Sequence, residues 1–145
     1  MTAPFLVGIA GGSCSGKSTF ARRVAELLRG VAVVSISFDS YYRPLDHLEP
    51  HEREAVNFDH PDSLDHELFL EHLQDLRSGR AIAQPRYDFA THARLPDPQV
   101  VHPAPLVLVD GILLLAFESI ATALDESIFL HAPQEVRLAR RIARD

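Results

Sequence analysis

Gly11-Gly12-Ser13-Cys14-Ser15-Gly16-Lys17-Ser18, followed by Thr19, is the stretch on which the fold turns. Upstream lies Phe5-Leu6-Val7-Gly8-Ile9-Ala10, an apolar run of buried-strand length. Downstream, Phe20, Val24, Leu27 and Leu28 recur at helical spacing. A loop of spacing G-x-x-x-x-G-K-S between a strand and a helix is the phosphate-binding P-loop, or Walker A motif. Its glycines let the backbone take positive φ and curl N–H groups around phosphate oxygens, and the following helix adds the positive end of its dipole. Lys17 is placed to reach the terminal phosphates of a nucleoside triphosphate, and the Ser18 hydroxyl to hold Mg2+. Four fixed positions meet by chance about once in a few hundred chains of this size, and the correct flanks lower that further. Lys17 is also the only lysine, the other 13 basic residues being arginines.

Composition bounds the rest. At 145 residues the chain makes one domain, able to bury roughly 70% of the surface that its unfolded form exposes. No disulfide or metal staple is needed for such a core. A formal net charge of -6 argues against a general nucleic-acid binder and against docking on an anionic membrane. Cys14 is the sole cysteine, which excludes an internal disulfide and fits a reducing cytosol. Its place in the phosphate loop leaves two readings, a reactive thiol or a small loop filler. No positively charged segment precedes the first apolar run, and the longest uncharged apolar run, Ile112 to Phe117, is far too short to span a bilayer. A soluble cytoplasmic protein is expected, with homo-oligomer formation left open.

Taken in order, Val31 to Phe38 is β-branched and apolar and predicts a second buried strand, ending at Asp39-Ser40-Tyr41-Tyr42-Arg43-Pro44. Ligands bind beyond the carboxyl ends of strands in an open α/β sheet, so Asp39 should stand beside the phosphate loop. A carboxylate there can take the proton of a hydroxyl attacking the γ-phosphate; the competing role is a turn or cap. Leu45 to His66 predicts a long loop, whose irregularly spaced histidines do not suggest zinc. Leu64, Leu68, Leu73 and Leu76 predict a surface helix ended by Gly79. Prolines at 85, 96, 98, 103 and 105 keep the next segment out of a central sheet, so residues 80 to 104 predict a hairpin or flap. Tyr87, Phe89 and His92 within it could stack on a ligand or pack a satellite core.

Leu106-Val107-Leu108-Val109-Asp110-Gly111 is an apolar strand ending in a carboxylate, the Walker B pattern, with Asp110 supporting Mg2+. A helix over Ile112 to Leu124 and a fourth core strand over Ser127 to Leu130 follow. Pro133 opens the last helix, on which Arg137, Arg140, Arg141 and Arg144 share one face and Leu138 and Ile142 point to the core. Four like charges in two turns repel one another unless anions lie opposite, so phosphate contact competes with a solvated face.

These stretches together resemble the uridine kinase (uridine-cytidine kinase) family of P-loop kinases. GIAGGSCSGKST, FDSYYR, NFDHPDSLD, PRYDFATHAR, VLVDGILLL and RLARRIARD carry the resemblance, in order and separation, over nearly the whole chain. It implies transfer of the ATP γ-phosphoryl group to the 5′-hydroxyl of uridine or cytidine, with Mg2+ and ATP or GTP as donor. By resemblance Asp39 is the catalytic base, aided by Lys17; Asp59 holds the ribose hydroxyls, with Tyr42 and Phe58 nearby. Tyr87, Phe89 and His92 enclose the pyrimidine, and Arg141 and Arg144 face acceptor and triphosphate. Asp110 stands where the family often has Glu, and Tyr41 where Phe is common. The family also continues past RRIARD into an arginine-bearing lid and adenine-side segments, so this stretch is expected to bind nucleotide and to turn over poorly or not at all. Related kinases of phosphoribulose, pantothenate or nicotinamide riboside are the nearest alternatives. A GTPase-type switch would need an Asn-Lys-x-Asp motif, for which no lysine remains. The expected architecture is a doubly wound α/β domain with a parallel sheet and a small flap.

Overall fold

A computed structural model describes residues 3–12, 14–58 and 60–144. In chain order the elements are β1 (Phe5–Gly11), α1 (Lys17–Leu27), β2 (Val33–Ser37), α2 (Pro50–Arg53), α3 (His66–Arg77), β3 (Ile82–Gln84), β4 (Tyr87–Asp88), β5 (Ala93–Arg94), β6 (Gln99–Val101), β7 (Leu106–Gly111), α4 (Glu118–Ala123), β8 (Glu126–Leu130) and α5 (Gln134–Arg144). Single 3-10 turns at Phe38–Ser40, Pro61–Ser63 and Leu114–Ala116 punctuate them. Among the described residues no helix is long and apolar enough to cross a membrane.

Four parallel strands form the central sheet in the order β2-β7-β1-β8. Parallel pairing requires helical crossovers, and these cover both faces of the sheet. On one face Leu6, Ala10, Ile36, Val107 and Val109 pack with Phe38, Phe69, Leu73 and Ile120. On the other, Ile9 and Leu108 meet Ala21, with Phe20 and Val24 alongside. Gly8 gives the first face room, since a Cβ there would come within 2.5 Å of Leu124 Cδ1. The register sets Asp110 opposite both Ile9 and Ser37, so β1, β2 and β7 deliver their carboxyl ends to one edge.

Local chemistry fixes the other boundaries. Asp65 caps α3 by accepting from the Leu68 N–H at 3.2 Å, a bond of a kind worth about 1 kcal/mol. Gly79 follows the helix with φ 86, the left-handed stop predicted for it. The long segment from 45 to 66 contains α2 and a 3-10 turn, and its ends are tied by Arg43 N–H to Ser63 O at 2.9 Å and Asp65 N–H to Tyr41 O at 2.7 Å. The flap is two nested antiparallel ladders, β3 with β6 and β4 with β5, separate from the main sheet. Ile82 and Val101 anchor it in the larger core.

Three expectations change. The helix over Ile112 to Leu124 is a 3-10 turn followed by the short α4, because Phe117 takes extended φ/ψ between them. The second and fourth strands are edge strands, not buried core ones, since β2 pairs only with β7 and β8 only with β1, with Ser35 exposed and Phe129 66% exposed. Leu138 and Ile142 of α5 face solvent, and it is the arginine face that turns toward the sheet edge.

Candidate functional site

The loop after β1 is shaped by close approaches that a side chain would block. A Cβ on Gly11 would lie 2.6 Å from the Leu130 carbonyl, and Gly16 takes φ +99 as the cap of α1. Cys14 also has a positive φ, 60°. The Ser15 N–H donates to Gly12 O at 3.2 Å, closing the turn. Lys17, only 8% exposed at the first position of α1, donates from Nζ to the same Gly12 carbonyl at 3.0 Å. Burial lowers the Lys17 pKa, while the nearby charges of Asp39 and Asp110 oppose that fall. Ser18 and Thr19 are exposed on the first turn of α1. Ser13 lies outside the described residues.

Asp39 and Asp110 close the adjacent strands β2 and β7. Asp39 sits in the 3-10 turn capped by Ser37, whose Oγ accepts from the Asp39 N–H at 3.3 Å. Ser37 also hydrogen-bonds the Asp110 carboxylate, so one small residue holds that side chain and caps the turn that carries Asp39. Burial raises the pKa of each, and Lys17 draws each back; Asp110 raises Asp39 further. Two half-buried carboxylates beside one buried lysine form a site whose charges depend on one another.

An open cleft of about 1570 Å³ joins these groups to an aromatic wall. Cys14 to Thr19, Asp39 and Asp110 line one end, and Tyr42, Phe58 and Phe89 the other. Tyr42 meets Phe58 edge-on at 5.3 Å between ring centroids and Phe89 at 6.1 Å. Tyr87 and His92 stand behind this wall. Tyr87 is nearly buried against Tyr42 at 5.2 Å and Phe89 at 5.1 Å, and His92 stacks on Phe58 at 4.8 Å. Asp59 lies outside the described residues.

Helix α5 places its arginines against the phosphate end. Arg140 and Arg141 line the cleft, and Arg140 Nη1 donates to Cys14 O at 3.1 Å. Arg137 occupies the space that a Cβ on Gly12 would need. The backbone of Arg144 completes α5, and its side chain lies outside what is described. Sequence reasoning missed Ser37, because a serine inside a strand carries no motif. It also passed over Arg94, whose Nη2 donates to Tyr42 O at 2.8 Å and so holds the wall. Alternation along a short strand was the only available signal for either.

The donor set can be tested against Mg2+. Among the described residues no group of three or more His, Cys, Asp or Glu forms an all-protein cage. Ser18 and Asp110 instead offer hard oxygens on one cleft wall, and a cation would relieve the burial cost of the Asp110 carboxylate. That set fits Mg2+ held jointly with substrate phosphates.

Comparison with known proteins places this arrangement. Residues 6–145 match the model of the Phosphoribulokinase / Uridine kinase family. Uridine kinase of Brevibacillus brevis is 42% identical over 142 residues, 98% of this chain and 66% of its own length. Uridine kinases of Chloroflexus aurantiacus (38%, covering 99% of this chain and 69% of theirs) and Clostridium perfringens (39%, covering 100% and 70%) are similar over the same span. The chain thus spans about two thirds of the length of these relatives. A putative fructose transport system kinase from Silicibacter sp. shares the fold at TM-score 0.83 and 24% identity, over 99% of this chain and 73% of its own. A possible uridine kinase from Bacillus stearothermophilus does so at TM-score 0.70 and 19% identity, over 99% and 79%. With a P-loop on β1, carboxylates on β2 and β7 and relatives at this identity, the chain belongs to the phosphoribulokinase/uridine kinase family.

Proposed function

We propose that the chain transfers the γ-phosphoryl group of ATP to the 5′-hydroxyl of uridine or cytidine. The observation that carries this reading is the single cleft in which the phosphate loop, Asp39 and the aromatic rings meet. Lys17 and the loop amides hold the triphosphate and stabilise the charge that develops on it. Asp39 accepts the proton of the acceptor hydroxyl as its oxygen bonds to the γ-phosphorus and the bond to the β-phosphate oxygen breaks. Burial raises the affinity of Asp39 for that proton, and the charge of Lys17 partly offsets the rise. Ser18 and Asp110 would hold Mg2+, which neutralises phosphate charge when bound.

Tyr42, Phe58 and Phe89 supply flat apolar faces suited to a pyrimidine, and Tyr87 and His92 brace them. Asp59 is assigned to the ribose hydroxyls, and Arg141 and Arg144 to acceptor and triphosphate. Residues 1–145 act as one kinase domain with 80–104 as its acceptor flap, working in the cytoplasm on small molecules.

The test, run on a chain extended to the length of its uridine kinase relatives, is transfer of label from γ-labelled ATP to uridine or cytidine, beside ribulose 5-phosphate, pantothenate, nicotinamide riboside and no acceptor. Labelled UMP or CMP is expected. Label on another acceptor in preference, or ATP binding with no transfer to any nucleoside, would remove the assignment.

A further inference from the structure

We propose that Arg140 is a positioning residue for the phosphate loop, acting through the Cys14 carbonyl; this rests on the reading of that loop as the triphosphate site. Cys14 is a residue with a Cβ held at φ 60, a left-handed conformation that costs an L-residue and persists only where its surroundings impose it. The peptide unit joining Cys14 to Ser15 is tied at both ends. Its N–H donates to Gly12 O at 3.2 Å, inside the loop. Its carbonyl accepts from Arg140 Nη1 at 3.1 Å, across 126 residues of sequence.

The first bond is the loop's own turn and cannot by itself choose the conformation at Cys14. The second comes from a charged donor on a separate helix, and charge-assisted bonds are the stronger class. A Cys14 carbonyl engaged by Arg140 is one acceptor fewer to repel an anion held in the curl. Arg137 braces the same helix at Gly12, where a Cβ would overlap its guanidinium. The loop is therefore held from outside by a helix whose apolar residues Leu138 and Ile142 face solvent. The geometry thus gives α5 a job other than core packing.

The test is a double-mutant cycle read by calorimetric binding of the β,γ-imido analogue of ATP. Arg140→Met should weaken binding about 10-fold, the range for losing a hydrogen bond to a charged group, and raise KM for ATP while leaving KM for uridine unchanged. In a Cys14→Gly background the same substitution should weaken binding only about 2-fold, because glycine adopts the left-handed conformation without help. Should Arg140→Met fail to fold, Arg140→Lys is run through the same cycle, with a smaller loss that again shrinks in the Cys14→Gly background. Unchanged binding by Arg140→Met overturns the proposal. So does a penalty that persists undiminished with Cys14→Gly, which would mean that the guanidinium acts on phosphate directly. Nucleotide binding that follows the cycle without transfer to uridine would sink the proposed function alone, and absence of binding by the wild type would sink both.

Discussion

The two ends of the cleft differ in what they are made of. The phosphate end rests on main chain: the curl after β1, and a parallel register that sets Ser37 against Asp110 and so fixes where the Asp39 and Asp110 side chains stand. The aromatic end is built from side chains, with Tyr42, Phe58 and Phe89 carried on a turn, a loop and a flap outside the main sheet. Backbone cradles change only if the fold changes, whereas a wall of rings changes one residue at a time. A family can therefore keep its donor end while varying its acceptor, and mutations at the two ends should have separable effects.

The largest expected effect is at Lys17, the buried cation of the phosphate end. Lys17→Ala should lower kcat/KM about 1000-fold, in the upper range for losing one electrostatic stabiliser, as measured by labelled-phosphate transfer. A loss confined to KM for uridine would break the division between the two ends. Asp39→Asn comes next, with kcat down at least ~100-fold and nucleotide binding retained. Because burial lifts Asp39 above the ordinary carboxylate value of 3.8, the wild-type rate should fall as acid protonates it, and the variant should lack that limb. The same substitution should raise the melting temperature at neutral pH. A carboxylate whose folded pKa lies above its unfolded one binds protons more tightly when folded, so its ionised form opposes folding as pH rises.

Phe89→Ala should raise KM for the nucleoside about 10-fold, within the range for one stacked base, and leave KM for ATP as it was. Equal changes in both constants would mean that the wall and the cradle are one unit. The smallest effect lies away from both ends. Tyr41 hydroxyl and His72 Nδ1 hydrogen-bond at 2.7 Å in the core, and burial keeps both neutral by raising the first and lowering the second. Tyr41→Phe should cost about 1–3 kcal/mol in denaturant titration, the penalty of a buried group left unmatched. Folded His72 binds its proton less tightly than the unfolded value of 6.5, so its contribution to stability is present above that pH and is lost on acidification.

The cradle end was legible in the sequence because each of its parts is a fixed interval: G-x-x-x-x-G-K-S, Asp39 closing one apolar run, Asp110 closing another. The position of the flap followed from its prolines. The rest depended on which faces become covered, and a period cannot say that. Leu138 and Ile142 share a helix face, yet the opposite, arginine face is the one turned to the cleft. Ser127 to Leu130 has the composition of a core strand but pairs on one side only. Tyr87 and His92 differ from Phe89 only in standing behind the wall, a distinction of depth that no linear pattern encodes. At Tyr41, which stands where the family often has Phe, the partner of the hydroxyl lies 31 residues away on α3.

The flap has a kinetic consequence. Each of its two ladders pairs only within itself, and the flap leans on the core through Ile82, Tyr87 and Val101, while β1 and β7 are flanked by strands on both sides. Amide protons of β4 and β5 should exchange with deuterium far sooner than those of β1, through openings that do not unfold the sheet. Each such opening would displace Phe89 and the residues that brace the aromatic wall while the loop after β1 stays standing, so the empty protein should spend its fluctuations on the aromatic side of the cleft.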